Sequence, residues 1–84
     1  MKLTKEEKAW VKRVQKALDS CPSTRLAFAT IGDCDLSIFN ADHYDDICNA
    51  VDSSKGDFIQ TADKLGYVAQ ETLRFPNQVE STAG

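Results

Sequence analysis

The hydrophobic period of this chain changes from helical to alternating and back. That change limits the fold most, because a segment patterned for a helix cannot bury its apolar side as a strand, nor the reverse. In "TKEEKAWVKRVQKALDSC" the spacing is helical. Thr4 followed by Glu7 is a capping box, each side chain satisfying the other's free backbone N–H. At about 100° per residue, Trp10, Val11, Val14, Ala17, Leu18 and Cys21 share one face, and Pro22 stops the helix. A first helix is predicted over residues 5 to 20, with Trp10 and its neighbours serving the domain's own core.

The period then falls to two. "RLAFATI" and "DLSIFN" are runs of strand-favouring residues flanking "GDCD", the spacing of a β-hairpin. Leu26 and Phe28 point one way and Ala27, Ala29 and Ile31 the other. With neither side strongly polar, the first strand is expected to be central in its sheet. After Asn40, Tyr44, Ile47, Cys48 and Val51 follow helical spacing, with Asp42 as the expected N-cap. Ser54 is expected to cap a third helix carrying Phe58, Ala62 and Leu65, with Gly66 as its left-handed C-terminal cap. "YVAQETLRF" alternates again as a final strand, which Pro76 ends. The order is α-β-β-α-α-β: a small α+β domain with a three-stranded antiparallel sheet and its helices packed mainly on one face. Residues 1 to 76 form that single domain, and residues 77 to 84 are expected to be a flexible polar tail.

Size narrows the function. A chain of 84 residues buries only about 60 to 65% of the surface its unfolded form exposes. An enclosed small-molecule pocket would consume much of such a core. This favours binding over catalysis, and no residue is assigned to catalysis or to a cofactor. The first ten residues lack the apolar run of a signal peptide, and no run approaches the ~18 residues that span a bilayer. The expected location is cytoplasmic, with no membrane span. Cys21, Cys34 and Cys48 contain no C-x-x-C pair and read as reduced thiols.

Chemistry, if present, would centre on "GDCDLSIFNADHYDDIC", which holds Asp33, Asp35, Asp42, Asp45, Asp46, the single histidine and two cysteines. A Ca²⁺ loop requires D-x-D-x-D-G spacing closed by an acid at position twelve. Counted from Asp33, Ile38 stands at the glycine position and Tyr44 at the closing one. Zinc needs four convergent ligands and the usual cysteine pair is missing, so no metal is assigned. A Cys34/His43 or Cys48/His43 nucleophile pair would need the base within hydrogen-bond reach and has no supporting motif. Local roles explain each acid: Asp33 and Asp35 suit a turn, and Asp42, Asp45 and Asp46 complement the dipole at a helix start. Together the five can also form an acidic patch that meets a basic partner.

Charge divides the chain. The net value of −3 comprises +4 over residues 1 to 25, with seven Lys/Arg and three Asp/Glu, and −7 over residues 26 to 84, with three and ten. Lys5, Lys8, Lys12 and Lys16 form a stripe on the first helix. Like charges at i, i+4 and i+8 destabilise a helix by tenths of a kcal/mol per pair, so the stripe invites a functional reading. The expected function is a non-enzymatic accessory or regulatory module that binds another protein through charged surfaces, a second copy of itself included. The final strand, residues 67 to 75, offers a sheet edge for pairing. The alternative is weak nucleic-acid binding through the lysine stripe. Metal or thiol chemistry at residues 33 to 48 ranks below both.

Overall fold

The computed structural model describes residues 1 to 30 and 34 to 80, and within them the fold is the α+β arrangement the periodicity predicts. Helix α1 runs Lys5–Asp19. Its capping box forms in both directions, Thr4 N–H donating to Glu7 Oε1 at 2.8 Å and Glu7 N–H to Thr4 Oγ1 at 3.1 Å. At the other end, the Ser20 hydroxyl folds back onto the Lys16 carbonyl at 2.7 Å, two residues before Pro22.

Strands β1 (Leu26–Ala29), β2 (Asp35–Asn40) and β3 (Val68–Arg74) form one antiparallel sheet in the order β1-β2-β3. The hairpin link between β1 and β2 includes Ile31, Gly32 and Asp33, which lie outside the described residues. Leu26 pairs with Asn40, Phe28 with Ile38, Leu36 with Leu73 and Asp35 with Arg74. β2 is central and β1 is an edge, which corrects the expectation for the first strand. Its two apolar sides have different causes: Ala27 and Ala29 are small because helices pack over them, whereas Leu26 and Phe28 belong to the opposite face. In β3, residues 69 to 71 stand opposite Ile38 alone, so the ladder steps across a bulge between the Ser37 and Phe39 pairs.

A 3₁₀ turn, Ala41–His43, leads into α2 (Tyr44–Ser54), and α3 follows at Phe58–Lys64. Asp42 does not cap α2: Asn40 caps the 3₁₀ turn, its side-chain oxygen accepting from Asp42 N–H at 3.0 Å, and the N-cap of α2 itself is His43, with no side-chain cap bond. Both residue types can cap, and the strand's end at Asn40 decides between them. Ser54 is likewise the last residue of α2, not the cap of α3, a position Asp57 holds. The Ser54 hydroxyl donates to the Ala50 carbonyl at 2.8 Å and accepts from Gly56 N–H at 3.3 Å, fastening the turn in which Lys55 takes a left-handed φ of 55°. Gly66 does terminate α3. With φ at 85°, its N–H reaches the Asp63 carbonyl at 3.0 Å and Tyr67 N–H reaches Ala62 at 2.9 Å, the paired bonds of a Schellman cap.

α2 and α3 cover one face of the sheet. Phe39, Ile47 and Ala62 are the buried hydrophobic centre, ringed by Ala27, Ala29, Val51, Phe58, Ile59, Tyr67 and Val68. Phe39 and Phe58 meet edge to face with ring centroids 5.1 Å apart.

α1 takes no part in this core. None of its residues is buried, Val14 alone is half-buried, and Trp10 remains 53% exposed, so the expected core role of Trp10 is overturned. The other sheet face, with Leu26, Phe28, Leu36, Ile38 and Leu73, also lies outside the core cluster. The surface total agrees. Folded monomers of this mass, 9.3 kDa, expose about 5,000 Å², whereas this chain exposes 7118 Å². Its radius of gyration, 15.5 Å, likewise exceeds the ~12 Å of a compact chain of this length.

Candidate functional site

The acidic residues do not converge. Asp35 opens β2 and lies across from Arg74, whose Nε is 3.8 Å from Asp35 Oδ1. Asp42, Asp45 and Asp46 lie beyond the other end of β2, whose length is about 20 Å, in the 3₁₀ turn and the first turn of α2. Asp33 lies outside the described residues. The start of α2 therefore carries a local acidic cluster of three, and Asp35 belongs to a different place. Among the described residues, no group of three or more His, Cys, Asp or Glu side chains is placed to hold a metal ion.

His43 is held on two sides. Its ring lies flat on Tyr67, with centroids 4.0 Å apart and an interplanar angle of 6°, while Nδ1 is 2.9 Å from Asp46 Oδ2. The proposed thiol partners engage elsewhere. Cys48 lies one turn on from Tyr44 in α2, and its proximity, with desolvation and a smaller contribution from Asp45, raises the Tyr44 pKa above its ordinary 10.0. The Cys34 thiol, at the far end of β2, donates to the Asn77 carbonyl at 3.5 Å. His43 is thus a packed anchor between α2 and the start of β3, and its Nδ1 is committed to a carboxylate.

The concavities lined by the described residues are shallow and open to solvent. One of about 180 Å³ lies at an end of the sheet between Arg25, Asn40, Tyr67 and Ala69. Another of about 370 Å³ separates Leu3, Trp10 and Val11 of the α1 region from Asn77. The second is bordered by the apolar side of a helix that packs against little else.

Two apolar faces remain available for binding. On α1 and just before it, Leu3, Trp10, Val11 and Leu18 are 39 to 53% exposed. On the sheet, Phe28 is 44% and Leu73 40% exposed, beside Leu26, Leu36 and Ile38. Lys5, Lys8, Lys12 and Lys16 are all exposed along α1, and neither ion pair among the described residues, His43–Asp46 or Arg74–Asp35, involves them.

The periodicity identified the apolar stripe of α1 but assigned it to this chain's own core. The open sheet face went unread. Its signal is the contrast within β1, where large Leu26 and Phe28 alternate with small Ala27 and Ala29. Comparison with protein-family models, with curated proteins and with solved structures finds no match to this chain, so its functional reading rests on these residues and their placement.

Proposed function

We propose that this protein is a non-enzymatic accessory or regulatory module that binds another protein. One observation carries the reading: a chain of 84 residues leaves Trp10, Val11, Leu18, Phe28 and Leu73 between 40 and 53% exposed on two faces. Scattered exposed apolar residues are ordinary on a monomer, but contiguous apolar faces rimmed by charge mark interaction surfaces. Burial of apolar area supplies the affinity of such a contact, less the entropy of association and side-chain ordering. Charge steers the approach. The basic flank of α1 and the acidic cluster Asp42, Asp45 and Asp46 at the start of α2 are separate handles for that steering. A reducing compartment, the cytoplasm, suits the free thiols of Cys21, Cys34 and Cys48. No helix among the described residues is long and apolar enough to cross a membrane.

The test is a tagged pull-down from source lysate, with and without nuclease, at low and moderate salt. A discrete protein partner that survives nuclease and is lost on Leu18→Glu or Leu73→Glu supports the reading. Recovery that needs nucleic acid and collapses with salt refutes it in favour of the second reading, binding of nucleic acid by the lysine stripe. The exposure of Lys5, Lys8, Lys12 and Lys16 supports that alternative. Replacing Lys8, Lys12 and Lys16 with glutamine would then abolish a salt-dependent mobility shift.

A further inference from the structure

We infer that the partner is a second copy of this chain, in a reciprocal pair: α1 of one protomer lies across the open sheet face of the other, and the exchange is repeated by the two-fold axis. The inference rests on the protein-binding reading and names its partner.

The first argument is area. Each copy exposes roughly 2,000 Å² more than a folded monomer of its mass. Part of that excess lies outside the two faces, at Met1 and residues 75 to 78, and covering half of it on both copies would bury a total of about 2,000 Å², the lower end of the obligate-homodimer range.

The second is fit. α1, with fifteen residues, is about 22 Å long, and β2, with six, is about 20 Å. One apolar helix face therefore spans the sheet along its central strand. It meets Leu36 and Ile38 of β2, with Phe28 and Leu73 to either side.

The third is closure, which selects among the ways two copies can pair. Helix on helix, or sheet on sheet, would leave one apolar face of each copy uncovered. Helix on sheet, exchanged both ways, uses both apolar faces of both copies, so the pair is closed and does not grow.

Analytical ultracentrifugation of the full chain, from low to high micromolar concentration, tests this with Leu18→Glu on α1 and Leu73→Glu on the sheet. Both positions are about half exposed, at 52% and 40%, and circular dichroism checks that the variants remain folded. The wild type should sediment at twice the chain mass and each variant at the single mass. An equimolar mixture of the two variants should regain pairs, because the intact helix of one meets the intact sheet of the other.

Three outcomes overturn the inference: a wild type of single mass at the highest concentration, as when α1 folds onto its own sheet; pairs that survive either substitution; or a mixture that stays unpaired. If a variant unfolds, the single tryptophan of the wild type decides. Trp10 emission should shift red as pairs dissociate on dilution, and an emission maximum independent of concentration overturns the proposal. Single-mass wild type removes self-pairing alone, because the nuclease-treated pull-down tests the broader reading separately.

Discussion

At the scale of the residue, Tyr44 and Ile47 are three positions apart on α2 and meet opposite environments. Tyr44 is 52% exposed, yet Cys48 beside it raises its pKa above 10.0. A folded-state pKa raised above the unfolded one favours the neutral phenol. Any stability it contributes is present below pH 10.0 and is lost as pH rises through the higher folded value. Ultraviolet titration of tyrosinate should find Tyr44 deprotonating above the ordinary 10.0, and Cys48→Ala should bring it back toward that value. Ile47 is fully buried. Ile47→Ala removes atoms from the middle of a three-residue centre and should lower unfolding free energy by about 2 to 4 kcal/mol, read as a fall in the urea midpoint with little change in slope. Ile47 was legible from its place in the i, i+3, i+4, i+7 series. The influence of Cys48 on Tyr44 was not, because spacing brings two side chains to one face without saying how they interact. Asp42 and Asn40 show the same limit: each can cap a helix, and only the observed end of β2 separates them.

At the scale of the element, α1 and the sheet with α2 and α3 depend on different forces. The capping box and helix propensity hold α1, since none of its side chains is buried. Packing around Phe39, Ile47 and Ala62 holds the rest. Thr4→Ala should therefore cost α1 about 1 kcal/mol, seen as faster amide exchange in residues 5 to 10 while exchange at Ile47 is unchanged at protein concentrations where the chain is monomeric. Equal acceleration at both would show that α1 is coupled to the core. Thr4 with Glu7 and Gly66 were readable because caps are local, needing only residues three or four apart. The rank of β1 in the sheet was not local. Two apolar sides mean burial on both faces in a central strand, but in this edge strand they mean one face under helices and one face open. The destination of the α1 stripe was hidden for a similar reason: periodicity says that a face wants cover, not what supplies it.

At the scale of the whole molecule, the division of charge carries the next prediction. If contact joins the +4 segment to the −7 remainder, raising salt from low to moderate concentration should slow association more than it speeds dissociation, because screening acts on encounter while apolar burial governs escape. Stopped-flow tryptophan fluorescence measures both, and a salt effect confined to dissociation would contradict charge steering.

The bulge in β3 has a bearing on solubility. Residues 69 to 71 face Ile38 alone, so the outer edge of β3 changes step midway along its length. Amyloid growth copies one extended segment onto an identical segment, rung after rung, and needs an uninterrupted template. The step leaves only short stretches on either side of it to copy. Concentrated protein should accordingly stay free of thioflavin-positive fibrils over days of incubation, even though much apolar surface is exposed on each chain.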